Sequence, residues 1–434
     1  MSPAVIGLIG IAALLGLIAL RVPVAIAMGV VGIVGGVAIN GWFSLGFVLG
    51  SQPFVTVFPY TLSVIPLFVM MGAFAARAGL SASLYRSLHA LIGHWRGGLA
   101  SATIGASALF GSVCGSSLAT AATMARVAIP EMKAVGYDDR LTAGCVAAGG
   151  TLGILIPPSI IMVIYAIMTE QSIGRMFLAG MIPGFLAAAL YMVTVYIVAR
   201  LRPESAPLSK RLGGAERIEA FKQMAPVLLL FGSVMGSIYF GIASPTEAAA
   251  VGAFGAIVLA AVRGKLTLEV VKESLMETAV TTAMIFMILV GTSVLQFFIE
   301  TSSLPNLLLD GIKSLDLTPM GVIILILLIY IVLGCFLDSL SMMLITLPIF
   351  FPLVSNLGFD PIWFGILVTS VAEIGLITPP VGMNLFVIAS VSGSIRFETA
   401  AAGVVPFLMA DATRLVLLLM FPAITLFLPR LMMG

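Results

Sequence analysis

Apolar runs long enough to cross a lipid bilayer, separated by short polar punctuation, fill nearly the whole chain. A helical span needs about 20 mostly apolar residues at 1.5 Å rise per residue. Residues 3–20, 22–40, 53–76, 176–199, 224–242, 246–262, 279–299 and 402–428 fit that pattern, and 41–52 reads as an uncharged loop. Residues 80–96 differ: Arg86, His89, His94 and Arg96 are mixed with Leu84, Leu88, Leu91, Ile92 and Trp95. That mixture predicts a helix lying in the interface plane. A second interfacial segment is expected at about 302–316.

Four further runs are interrupted. Residues 97–132 divide at Gly111–Ser117 into arms of about 16 residues, roughly 24 Å at helical rise. Such arms suit a hairpin that enters, turns and leaves on one side, and 318–355 reads the same way. Residues 141–170 and 362–392 are long enough to cross but break, the first at Gly149–Pro158 and the second around Pro379 and Pro380. A broken helix in hydrocarbon leaves backbone N–H and C=O groups unpaired. That is tolerated only where the break is buried in protein or faces a wet cavity, and many transporters build substrate and ion sites from such breaks.

The interruptions recur. Pro130 returns as Pro352, Gly136 as Gly358, Asp138 as Asp360, Pro157 and Pro158 as Pro379 and Pro380, and Pro23 as Pro245, each 222 residues on. The chain therefore reads as two repeats, 1–199 and 223–434, joined by a polar cytoplasmic linker at 200–222.

Composition narrows the class. Of 434 residues, 60% are hydrophobic and 9% charged, against about a quarter charged in soluble domains. This is an all-α integral membrane protein. A net charge of +2 gives no reason to expect nucleic acid. Cys114, Cys145 and Cys335 are odd in number and irregular in spacing, which argues against a disulfide framework or a zinc site. Residues 3–20 lack a basic leader and a small-residue cleavage site, so they are expected to be a first span.

Lys and Arg set the orientation. With the N-terminus outside, ten full crossings and two hairpins, all of the 21 Lys and Arg fall on the cytoplasmic side except Arg175, Lys313, Arg414 and Arg430. Five crossings per half is odd, so the second repeat is expected to be inverted, with both termini periplasmic and the two hairpin tips meeting at mid-membrane.

The stretches GSVCGSSLATAATMA, IPEMKAVGYD, GGTLGILIPPS, SPTEAAAVGA and ITPPVGMNLF, in that order, resemble the large membrane subunit of tripartite ATP-independent periplasmic (TRAP) transporters. The resemblance covers essentially the whole chain. It implies an elevator-type secondary transporter of the bacterial inner membrane. Its task would be cation-coupled, usually sodium-coupled, import of a small organic acid such as a dicarboxylate, sialic acid or a related carboxylate. It also implies a small four-helix membrane subunit and a periplasmic substrate-binding protein as partners. No extra N-terminal block supplies the small subunit, so that partner is expected as a separate chain.

Candidate residues gather at the tips and breaks. Gly111, Ser112, Gly115, Ser116 and Ser117 offer free carbonyls, hydroxyls and an inward-pointing helix start, suited to sodium and to an anionic group. The residues alone equally allow a tight turn with close helix packing; the resemblance favours the functional reading. Gly150, Thr151, Gly153 and Pro157 would complete this first sodium site. The second would use Gly334, Ser341, Glu373, Gly375, Thr378, Pro379 and Gly382. Ser116, Ser117, Asp338, Ser339 and Asn384 are the substrate candidates. An acid at membrane depth costs at least about 2.5 kcal/mol, so Asp338 must be hydrated, paired or bound to a cation; coordination of substrate or cation is favoured over a helix cap or a structural hydrogen bond. Glu373 occupies the place of Thr151 in the second half, as a titrating or cation-linked acid or as a partner of the broken backbone.

Other polar residues read as structural. Ser244 and Glu247 bracket Pro245 as a capping box. Asp411 and Arg414 are placed to form an ion pair. His89 and His94 belong to the interfacial helix. An intramembrane enzyme is disfavoured: there is no HExxH, no second acid near Asp338 in a protease motif, and no Ser–His pairing in the core. A symporter working without a binding protein would share the fold, and the TRAP-like motifs argue against it. A purely structural subunit would leave two costly breaks without a purpose.

Overall fold

The computed structural model describes residues 2–209, 213–304, 307, 311 and 318–433, and every regular element among them is helical. The first half comprises α1 (Pro3–Ala19), α2 (Val24–Val57), α3 (Val64–Arg77), α4 (Leu80–Ile92), α5 (Gly98–Cys114), α6 (Ser117–Val135), α7 (Asp139–Leu155), α8 (Ile160–Met168) and α9 (Ile173–Leu201). The second comprises α10 (Gly214–Tyr239), α11 (Pro245–Val262), α12 (Leu268–Thr301), α13 (Pro319–Gly334), α14 (Ser339–Asn356), α15 (Pro361–Ile377), α16 (Met383–Ser392), α17 (Phe397–Met420) and α18 (Ala423–Met433). Nine stretches among the described residues are long and apolar enough to cross a membrane. This is a multi-pass membrane protein.

Helix starts follow the sequence chemistry. Asp138 accepts from the N–H groups of Arg140 and Leu141 at 2.8 and 3.3 Å. Asp360, at the matching position, accepts from Ile362 and Trp363 at 2.8 and 3.2 Å. Ser244 and Glu247 form the expected capping box at the start of α11. Replacing Asp360 with alanine leaves donors at the start of α15 without their cap. It is expected to cost about 1 kcal/mol, read as a lowered melting temperature; an unchanged melt would show that water serves the cap equally well.

Burial sorts the helices into a centre and a periphery. In α5, α7 and α15 nearly every residue is buried. The hairpin α5–α6 packs on α7, and α13–α14 packs on α15. Around this centre α2 lies along α12, and α3 along α11. Glycine lets α2 and α12 approach to backbone contact: a Cβ on Gly32 would stand 2.7 Å from the Val294 carbonyl carbon, and one on Gly291 would stand 2.5 Å from the Ala25 carbonyl oxygen. Small residues play this role between helices in lipid, where the hydrophobic effect no longer drives association.

The structure corrects several sequence expectations. Residues 41–52 are not a loop: α2 continues to Val57 and bends at Gly41, where φ is 74°. Gly41 alone leaves the helical region, so the chain kinks there and resumes helix at once. The linker is shorter than 200–222, because α9 runs to Leu201 and α10 starts at Gly214. The span placed at 279–299 begins at Leu268, since a charged first turn tolerates helix outside the hydrocarbon. The last span divides at Phe421 and Pro422 into α17 and α18. Lys210, Arg211 and Lys313, and most of the interfacial segment at 302–316, lie outside the described residues.

Candidate functional site

The first hairpin turns at Gly115 and Ser116, narrower than the Gly111–Ser117 expected. Gly115 has φ of 67°, which favours glycine, and its N–H donates to the Gly111 carbonyl at 2.7 Å. Ser116 caps α6. The facing break is also narrower than Gly149–Pro158, spanning only residues 156–159 between α7 and α8. Gly149, Gly150, Thr151 and Gly153 are inside α7. There the glycines serve approach: a Cβ on Gly150 would meet Ala121 at 2.7 Å, and one on Gly111 would stand 2.6 Å from the Gly153 Cα. Tip and break are thus pressed together through two glycines. Pro157 has no N–H to give the Gly153 carbonyl, its i−4 partner in a continuing helix. Thr120 Oγ1 lies beside Gly153 and donates to the Ser116 carbonyl at 2.7 Å. The sequence reading missed Thr120, although it is one helical turn from Ser116.

The second pair repeats this construction. The tip is Cys335–Asp338, and Asp338 caps α14 by accepting from the Ser341 N–H at 3.0 Å. Ser339 and Ser341 are buried in the first turn of α14. A Cβ on Gly375 would stand 2.6 Å from the Gly334 Cα, so here too tip and break meet through glycine. Pro379 has no N–H for the Gly375 carbonyl, which takes a longer bond of 3.2 Å from Thr378. Gly382, with φ of 54°, donates to the Cys335 carbonyl at 3.4 Å and ties the break to the tip. Ser116 and Asp338 hold equivalent places as caps, so the cap that was the lesser reading of Asp338 accounts for one of its oxygens. The first pair carries carbonyls and hydroxyls, and the second adds the Asp338 carboxylate; these are hard oxygen donors that fit sodium. Among the described residues no three His, Cys, Asp or Glu side chains cluster as a transition metal would need.

Two buried polar connections cross the molecule. Asn384, fully buried, donates to Ser117 Oγ at 2.9 Å and to the Ala147 carbonyl at 3.2 Å, so it joins α16 to the first tip and to α7. Its amide is engaged within the protein. Glu373 points away from the second tip toward α17: Arg414 Nη1 lies 2.7 Å from Glu373 Oε2, and Arg414 Nη2 lies 3.0 Å from Asp411 Oδ1. Both Arg414 contacts are held by charge without an aligned hydrogen bond. Tyr191 donates to Asp411 at 2.7 Å, and its hydroxyl lies 3.4 Å from Thr151 Oγ1. Sequence spacing gave the Asp411–Arg414 pair; Glu373 and Tyr191 join it only in three dimensions. A cavity of about 1070 Å³ opens elsewhere, between the start of α7 and the helices α9 and α17, with Asp138, Arg140 and Phe407 in its lining.

Residues 11–424 match the family model described as the DctM component of tripartite ATP-independent periplasmic transporters. The chain is 38% identical over 382 residues to a C4-dicarboxylate TRAP transporter large permease protein of Pseudomonas aeruginosa, covering 88% of this chain and 89% of that one. It is 36% identical over 379 residues to a sialic acid TRAP transporter large permease protein of Vibrio cholerae, covering 86% and 87%. Among solved structures it resembles the YdaH transporter of Alcanivorax borkumensis with a TM-score of 0.64 at 16% identity, covering 88% and 89%. That last likeness concerns the fold.

Proposed function

Because this chain belongs to the DctM family of tripartite ATP-independent periplasmic transporters, a family of transport permeases and not of enzymes, we propose that it couples sodium to the import of a small organic acid anion. Relatives named for C4-dicarboxylates and sialic acid support a carboxylate, and relatives named for isethionate and ectoine widen the class to small organic solutes with an anionic group. A periplasmic substrate-binding protein would deliver it, and a small four-helix subunit would complete the membrane assembly in the bacterial inner membrane, with both termini of this chain periplasmic.

The observation that carries this reading is the twofold construction of glycine-pressed tip against proline-broken helix, Gly111 on Gly153 and Gly334 on Gly375. At each pair the following proline gives no N–H to the glycine carbonyl four residues back, and at the second that carbonyl keeps only the 3.2 Å bond from Thr378. Substrate would lie between the tips, near Ser116, Ser117, Asp338 and Ser339, with Asn384 holding the first tip in place. Bound sodium supplies the positive charge that offsets burial of the substrate carboxylate. The repeats would be inverted and would move as an elevator. In support of inversion, α2 and α12 run parallel, Ala25 beside Gly291 and Gly32 beside Val294. The end of α12 is the counterpart of α3 under the sequence offset.

Thermal stability of the purified chain in sodium, against potassium and choline at fixed ionic strength, tests the proposal. A ligand that binds only the folded state at a hundredfold excess over Kd stabilises by about 2.7 kcal/mol. Saturable stabilisation by sodium, reduced in Ser116→Ala and in Asp338→Asn, is the expected result. Equal melting in the three cations would remove sodium from the mechanism.

A further inference from the structure

We propose that Tyr191 and Arg414 are positioning residues that couple the two sodium sites, through the buried chain Thr151–Tyr191–Asp411–Arg414–Glu373. This rests on the reading of function above, since it presupposes a cation at each break.

The links run from one break-bearing helix to the other. The Thr151 hydroxyl donates to the Ala148 carbonyl at 2.8 Å and touches the Tyr191 hydroxyl at 3.4 Å, and Tyr191 donates to both Asp411 oxygens at 2.7 and 2.8 Å. Asp411 lies 3.0 Å from Arg414, and Arg414 lies 2.7 Å from Glu373. The two ends are not arbitrary. Thr151 and Glu373 occupy the same place in their repeats, and each precedes the first residue past its helix, Ile156 or Thr378, by five positions. The chain therefore starts on the helix carrying the first break and finishes on the helix carrying the second. It passes only through α9 and α17, which flank both.

Burial makes the connection stiff. Glu373 and Arg414 are 0% exposed, Asp411 is 1% and Tyr191 is 0%. No water can replace a contact that is lost. One guanidinium serves two carboxylates, and one phenol serves a carboxylate and touches a threonine. If α15 shifted against α17, Glu373 would lose its guanidinium, and if α9 shifted against α17, Asp411 would lose its phenol; the low dielectric makes either loss costly, and a shift of α7 against α9 parts Thr151 from the same phenol. The helices carrying the breaks are thereby held to one joint arrangement, so an ion that orders one break favours the competent form of the other. Coupling between sites commonly changes affinity by about 5- to 150-fold.

The test is a sodium titration of thermal stability in the wild type and in Tyr191→Phe, which removes one hydroxyl and keeps the ring. The wild type is expected to respond more steeply than independent sites allow, and Tyr191→Phe is expected to flatten the response to that of independent sites. A role limited to packing would lower melting equally at every sodium concentration and leave the steepness unchanged, and that outcome overturns the proposal. A wild type indifferent to sodium overturns the functional reading and this inference with it. Should Tyr191→Phe fail to fold, hydrogen exchange in Ser116→Ala decides the matter. Coupling requires the half-saturating sodium for protection of residues 378–382 to rise about fivefold or more. An unshifted midpoint at those residues overturns it.

Discussion

Arg414→Ala is expected to lower stability by about 3–5 kcal/mol, the usual cost of removing one partner from a buried ion pair. Here the loss strands two acids at once, because Glu373 and Asp411 share this guanidinium and all three are buried. Neither acid can turn to solvent. Asp411 keeps the hydrogen bond from Tyr191, so Glu373 is the more exposed to the loss. The measurement is the melting temperature and the monodisperse fraction of purified protein. A companion variant separates charge from shape. Arg414→Met combined with Glu373→Met and Asp411→Asn removes all three charges at similar volume, leaves Tyr191 an acceptor, and should recover most of the stability. Near wild-type melting of Arg414→Ala alone would mean that water reaches the cluster.

Gly375→Ala is the second large effect. Its Cβ would stand 2.6 Å from both the Cα and the carbonyl carbon of Gly334. Backbone atoms cannot turn aside as a flexible side chain would, so α13 must back away from α15. Overpacking of this kind costs about 1–3 kcal/mol. It should also abolish sodium stabilisation at the second site, since tip and break no longer meet. Gly232→Ala provides the contrast: nothing lies within 4 Å of its Cβ position on α10. The same substitution there should stabilise by about 0.5–1 kcal/mol through helix propensity. If both variants melt alike, the glycine contact is not what holds the second tip.

Much of the architecture was legible because it rests on residues with few alternative uses. A proline pair must break a helix, so Pro157–Pro158 and Pro379–Pro380 located both interruptions. Asp138 and Asp360, each just before an apolar run, located two helix starts. Glycine is less decisive. Gly149, Gly150 and Gly153 read as part of a break, yet they lie within α7, because the residue that weakens a helix also lets another helix approach it. Only the neighbour decides which use applies, and Ser107, Ala121 and Gly111 are remote in sequence. The same limit hid the partners of Glu373. Asp411 and Arg414 are three residues apart and could be paired by spacing alone, whereas Glu373 and Tyr191 reach them only through the packing of α9, α15 and α17. At the tips, the cap was the lesser alternative for Asp338 and was not foreseen for Ser116, because the residues that cap a helix are also those that bind ions.

The helix pair α2 and α12 has a bearing on the surrounding lipid. α12 has 34 residues, roughly 51 Å if straight, against about 30 Å of hydrocarbon, whereas α2 kinks at Gly41. On α12 the excess is marked at both ends. Glu273 and Glu277 grip Arg77 at 3.2 and 2.6 Å. Toward the other end Phe297 lies with Trp42, Phe43 and Phe47 at the bend of α2, and these three rings are 66%, 94% and 78% exposed. From Glu277 to Phe297 the helix rises about 30 Å. Charge at one end and aromatic rings at the other thus mark off an apolar height equal to that of an ordinary bilayer. A membrane of shorter or longer acyl chains must deform around this pair, at a fraction of a kcal/mol per Å of hydrophobic mismatch. Lipid chain length therefore enters the energetics of this protein as a variable in its own right.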